Sequence, residues 1–176
     1  MASTYTLISS NVLSSSAASV TFSAIPSTYT DLVLRWSARS DYASDTINVS
    51  NLQINSDSGA NYSMTYVRGN SSAASSSRES GQTQSYLGQV PAAMATSNTF
   101  NNGELYFSSY TASQIKPISS VNMQENNTSS AGNAYVNAIA HLYNSTTAIS
   151  SIKVALNGGN NFVSGSSFYL YGIKNS

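Results

Sequence analysis

The sequence predicts an all-β protein, an antiparallel sandwich or barrel of about ten short strands. Three observations carry this. Apolar residues recur at every second position in segments of strand length. Clusters of Ser, Asn, Gly and Pro separate those segments. No stretch holds the i, i+3, i+4, i+7 spacing of an amphipathic helix. The length of 176 residues fits one domain, residues 1–176, with no linker dividing it.

The elements follow in order. Tyr5, Leu7 and Ile8 read as the first strand of the protein's own sandwich. The alternative is that Met1–Ser10 is an arm adding to a neighbour's sheet. Val20, Phe22 and Ala24 form the next stripe, and Ile25-Pro26-Ser27-Thr28 turns the chain. In Asp31–Ala38, Leu32, Leu34 and Trp36 point one way, and Val33, Arg35 and Ser37 the other. Asp41, Asp45 and Asp57 flank one further strand. In Asn61–Arg68, Tyr62, Met64 and Tyr66 alternate with Ser63, Thr65 and Val67.

Ser71–Gln84 has no apolar anchor and reads as an exposed loop, and Pro91–Asn98 as a second irregular stretch. Leu105 and Phe107 follow the turn Asn101-Asn102-Gly103, and Val121 and Met123 make the next stripe. Ala134–Tyr143 has alanines that favour helix. Its alternation of Val136, Ala138, Ala140 and Leu142 against Tyr135, Asn137, Ile139, His141 and Tyr143 favours strand, and strand is expected. Ile152, Val154 and Leu156 precede the turn Asn157-Gly158-Gly159-Asn160.

The closing segment, Ser166–Ser176, has apolar residues on both faces. It is expected to be covered twice, by its own core and by a neighbouring element or subunit. The alternative is that its tyrosines lie half-exposed with wet hydroxyls.

Composition narrows the function. Charged residues are 8% of the chain, seven basic against seven acidic, where ordinary domains hold about 25%. No basic patch is visible, so nucleic acid is not an expected partner. A formal net charge of zero weakens repulsion between copies and suits a subunit that assembles. No window approaches the roughly 18 apolar residues of a membrane span. The opening MASTYTLISSNV lacks the pattern of a signal peptide, and the expected site of synthesis is a cytoplasm.

Catalytic and metal constellations are sparse. His141 is the one histidine, and its place in a strand predicts a packed or hydrogen-bonded sheet residue rather than a nucleophile's base. There is no G-x-S-x-G elbow and no phosphate-cradling glycine loop. The acids Asp31, Asp41, Asp45, Asp57, Glu79, Glu104 and Glu125 show no spacing that marks a glycosidase pair. Asp41, Asp45 and Asp57 could gather at one end of the sandwich as calcium ligands; their alternative role is turn formation. Without cysteine, and with one histidine, a zinc site is excluded. No catalytic, cofactor or metal residue is therefore expected, and no cofactor. The Asn-x-Ser/Thr triplets at Asn48, Asn61, Asn70, Asn126, Asn127 and Asn144 follow from the abundance of Ser and Thr. Twelve tyrosines suit either sugar stacking or protein interfaces.

Four segments together resemble small virion structural proteins of marine tailed bacteriophages. They are YTLISSNVLSSSAASVTFSAIPSTYTDLVL (Tyr5–Leu34), INSDSGANYS with YVRGNSSAASSSR (Ile54–Ser63, Tyr66–Arg78), SNTFNNGELYFSSY (Ser97–Tyr110) and NFVSGSSFYLYGIK (Asn161–Lys174). The resemblance implies a jelly-roll-like two-sheet sandwich carried on the phage particle, and it brings no catalytic motif. The expected function is a non-enzymatic capsid decoration or cement protein on the assembled head. Its partners would be the major capsid protein or other virion subunits, with itself as a homotrimer by analogy with jelly rolls at threefold positions. The alternative is a tail-fibre or receptor-binding tip that recognises host glycan through the Ser71–Gln84 or Ala92–Asn98 segments.

Overall fold

The computed structural model describes residues 4–127 and 133–174. Ends of the two terminal segments singled out in the sequence, residues 1–3 and 175–176, lie outside that range. Among the described residues, twelve strands and one 3₁₀ turn make up the regular structure. They are β1 (Tyr5–Val12), β2 (Ser19–Phe22), β3 (Asp31–Ser37), β4 (Ile47–Ile54), β5 (Tyr62–Asn70) and β6 (Ala74–Gln82). The second half holds β7 (Ser85–Pro91), β8 (Asn102–Phe107), β9 (Lys116–Gln124), β10 (Tyr135–Tyr143), β11 (Ile152–Leu156) and β12 (Ser167–Ile173).

Two antiparallel sheets stack as a sandwich. The larger has eight strands in the order β1-β12-β3-β8-β9-β10-β5-β6, the smaller four in the order β2-β11-β4-β7. Set aside β5, β6, β9 and β10, and count the other eight strands along the chain. The sheet orders become 1-8-3-6 and 2-7-4-5, with every pairing antiparallel. This is the double Greek key of a jelly roll. The jelly-roll sandwich expected from the sequence is thus the fold. The remaining strands are two insertions, β5–β6 between the fourth and fifth core strands and β9–β10 between the sixth and seventh. They lie side by side, β9-β10 and then β5-β6, and extend the larger sheet beyond β8.

The apolar core fills the space between the two four-stranded halves. Leu32, Leu34 and Trp36 of β3, Phe168 and Leu170 of β12 and Leu105 and Phe107 of β8 come from one side. Val20, Phe22, Leu52, Ile54, Leu87, Ile152 and Val154 come from the other. Each large side chain buried there contributes about 1.5–3 kcal/mol. Position 103 must be glycine, because the Trp36 ring occupies its side-chain space. A Cβ on Gly103 would lie 2.1 Å from Trp36 Cζ2.

Several expectations change. Ser71–Gln84 is not a loop: Ala74–Gln82 is β6, paired with β5 from Gly69↔Ala74 to Tyr62↔Gln82. Asn70 makes the reversal, its Oδ1 accepting the N–H groups of Ser72 and Ala73 at 3.0 and 2.8 Å. Backbone pairing, which needs no apolar side chain, forms this strand. Val121 and Met123 are exposed, and the inner row of β9 is Lys116, Ile118, Ser120, Asn122 and Gln124. β12 lies inside the larger sheet, between β1 and β3. Phe168 and Leu170 face the core, while Tyr169 and Tyr171 are half-buried on the other face. Tyr171 meets the Tyr5 ring edge-on at 6.4 Å and lies under the Arg35 guanidinium. Side chains, not a further element, give this second cover. β1 pairs with β12, so Tyr5, Leu7 and Ile8 belong to the protein's own sheet. Ala134–Tyr143 holds a strand, β10, as expected.

Candidate functional site: an uncovered apolar sheet face

The extension creates a surface that the sandwich does not use. On β9 the outward residues are Pro117, Ser119, Val121 and Met123, and on β10 they are Val136, Ala138, Ala140 and Leu142. None is charged. The register places Val136 beside Met123 and Gly69, Ala138 beside Val121 and Val67, and Leu142 beside Pro117 and Ser63. Val136 and Val67 are 59% and 58% exposed, Met123 and Val121 47% and 45%, Leu142 38%. Large apolar side chains scattered singly on a surface need no explanation, but a contiguous, uncharged row across three strands makes this face the candidate site. Charges stand at its margin. Arg35 Nε donates to Glu104 Oε2 at 2.7 Å on β3 and β8, and Arg78 lies opposite Thr65 on β6.

The inner face of the same strands is polar. His141 is buried, with Ser85 Oγ 2.7 Å from Nδ1 and Ser120 Oγ 2.7 Å from Nε2. One ring nitrogen donates and the other accepts, so the imidazole is held neutral. Burial pushes its pKa down to about 4. Both nitrogens are taken by hydroxyls, and none is left for the carboxylate a Ser-His-acid relay requires. His141 is a hydrogen-bonded sheet residue, as its strand position predicts.

Beside it lies an amide layer. Asn137 Nδ2 donates to Gln89 Oε1 at 3.1 Å, and Tyr86 Oη donates to Asn137 Oδ1 at 3.3 Å. Gly88 of β7, with φ +101°, passes so near that a Cβ there would be 2.9 Å from Asn122 Cγ. Among the described residues the buried amide of Asn122 has no partner at either end, and Gln124 Oε1 has none. Serine and asparagine at alternate positions carry no apolar signal, which is why this layer is not visible as an interior row in the sequence.

The three aspartates do not come together. Asp45 precedes β4 and Asp57 follows it, so they sit at opposite ends of an eight-residue strand, about 25 Å long. Each holds a turn. Asp41 accepts from Asn161 N and Nδ2 at 2.7 and 2.8 Å, and Asp45 from Thr46 N at 2.6 Å. Asp57 accepts from Asn61 Nδ2, Gly59 N and Tyr143 Oη, which together lower its pKa. Among the described residues no group of three or more His, Cys, Asp or Glu is placed to hold a metal ion. No helix among them is long and apolar enough to cross a membrane.

Neither segment expected to read glycan contains a tyrosine. Ala92–Asn98 is instead organised by the buried Arg39. Its Nη1 donates to the carbonyls of Thr96 and Thr99 at 2.8 and 3.1 Å, and its Nη2 to those of Ala92 and Ala95 at 2.8 and 3.0 Å. Burial lowers the arginine's pKa.

Fold and surfaces define a jelly-roll domain whose larger sheet is extended by two inserted strand pairs with a bare apolar face. No protein-family model matches the chain, and no curated protein matches it.

Proposed function

We propose that the protein is a non-enzymatic structural protein of a tailed bacteriophage virion, a decoration or cement protein that docks on the assembled head. One observation carries this reading. The uncharged apolar face lies on β9, β10 and β5, strands that the jelly roll does not need in order to close. A folded domain gains nothing for itself by keeping such residues in water. Each of Val67, Val121, Met123, Val136 and Leu142 adds to affinity when a partner covers it, at about 25 cal/mol per Å² of apolar area removed from water. The resemblance of four segments to phage virion proteins supplies the partner, a subunit of the capsid. A formal net charge of zero, with 8% charged residues, leaves little electrostatic barrier to close packing at high copy number.

A protein that binds only the assembled shell stabilises it by mass action. In this role the protein works on the particle surface as a homotrimer, with the apolar face turned to the major capsid protein. The test is localisation on intact particles by cryo-electron microscopy, together with quantitative mass spectrometry. Copies in the hundreds spread over the head are expected. A few copies at the tail would overturn the reading. Heads carrying Val136→Lys protein should lose the bound subunit in low-salt washes while wild-type heads retain it.

A further inference from the structure

We propose that the protein also carries a saccharide-binding cleft at one end of the extended sheet, selective for neutral hexopyranose units. This goes beyond docking on a shell: the cleft borders the docking face at Met123 and Val136 but is built around Tyr135, Phe100, Asn70 and Gln124, which that face does not use. The cleft encloses about 700 Å³ and opens to solvent, within the volume range of ligand sites. Its polar and aromatic lining comprises Phe100, Asn102, Asn70, Tyr135, Gln124 and Glu125.

The strand register builds it. Tyr135 of β10 lies between Gln124 of β9 and Asn70 of β5, so a phenol ring is flanked by two amides in one cross-strand row. Phe100, in the segment before β8, gives a second half-buried ring. Its ring lies 3.4 Å from where a Cβ on Gly165 would be. Two aromatic rings and two amides lining one cleft match a pyranose, which has apolar C–H faces and a rim of hydroxyls that both donate and accept.

A second observation points to a ligand. Gln124 is 4% exposed and lines the cleft, and its buried Oε1 has no donor among the described residues. Its Nε2 already donates to the Asn133 carbonyl at 3.1 Å. Leaving a buried acceptor unpaired costs about 1–3 kcal/mol. The terminal torsion of a glutamine amide is broad, so the oxygen can turn to a hydroxyl seated in this cleft. Asn70 is held with its oxygen toward the Ser72 and Ala73 N–H groups, which leaves the NH₂ end for a ligand oxygen. Glu125 is the one charged lining residue. Its carboxylate disfavours anionic sugars, and the absence of lining Lys or Arg gives them no compensating partner.

The test is ¹⁵N–¹H NMR titration of the full chain with maltotriose, cellotriose and chitotriose, with 3′-sialyllactose as the anionic comparison. At least one neutral trisaccharide should shift the amides of residues around Gln124, Tyr135 and Asn70, with a Kd on the order of 1 mM. Tyr135→Ala and Phe100→Ala should each weaken that binding about tenfold, the worth of one aromatic contact, and Tyr169→Ala should not. The proposal is overturned if none of the three trisaccharides shifts these amides, if sialyllactose binds more tightly, or if both aromatic variants bind as wild type. Retention of the Tyr135→Ala protein on heads reports separately on docking, so either reading can fail alone.

Discussion

His141 shows how a single buried group sets a pH limit on the fold. Its pKa is about 4 in the folded protein against about 6.5 in an unfolded chain. Above pH 6.5 it is neutral in both states, and the fold is unaffected. Between about pH 6.5 and 4 the unfolded chain takes up a proton that the folded one refuses, so stability falls as pH falls. Below pH 4 both states are protonated, and this contribution is flat. The full loss is on the order of 3 kcal/mol. Urea unfolding midpoints measured from pH 7 to pH 4 should therefore decline in the wild type, and His141→Gln should flatten the decline. An equally steep profile in the variant would mean that carboxylates such as Asp57 carry the whole effect. Arg39 holds a segment of chain from its interior. Four backbone carbonyls of the segment after β7 converge on its guanidinium, and Arg39→Met removes that donor from all four. We expect a loss of about 3 kcal/mol by urea denaturation, with Arg39→Lys recovering only part because a point charge cannot span the fork.

At the scale of elements, β6 differs from its neighbours. Its residues are exposed or half-exposed on both faces, whereas β9 and β10 each bury every second side chain. It is held by backbone pairing to β5, the Asn70 turn and one exposed side-chain bond from Arg68 Nε to Ser75 Oγ, so it should open locally at low cost. Hydrogen-exchange mass spectrometry should show β6 amides exchanging at least tenfold faster than those of β9 and β10. Equal protection in an isolated monomer would overturn this account of the hairpin. β6 is not legible in the sequence, since Ser-rich strands lack the apolar alternation by which strands are recognised. By contrast β3, β10, β11 and β12 were legible to within a residue or two, because Leu32-Leu34-Trp36, Ile139-His141-Tyr143, Ile152-Val154-Leu156 and Phe168-Leu170 each mark one face.

On the scale of the whole molecule, the larger sheet has twice as many strands as the one that covers it. Its excess half is closed on the inner side by the polar layer around β7 and left bare on the outer side. Stability and surface function therefore sit on different faces of the same strands. Val136→Lys and Val121→Lys should change the unfolding free energy by less than about 0.5 kcal/mol, measured by urea denaturation. In a head-retention assay the same variants should wash off the shell while the wild type stays bound. A variant that unfolds instead would show that the face is part of the protein's own packing.

The period of two in the sequence determined that the chain forms strands, where most of them run, and which side chains share a face, because successive Cβ atoms must alternate across an extended backbone. It could not determine which face is inside. Val121 and Met123 look like a core stripe, and Asn122 and Gln124 like a solvated one, yet their burial is reversed. Burial depends on whether a second sheet lies opposite, and that follows from the pairing order of strands far apart in the chain. The apolar face, the unpartnered amides and the cleft between Tyr135 and Phe100 arise only from that order.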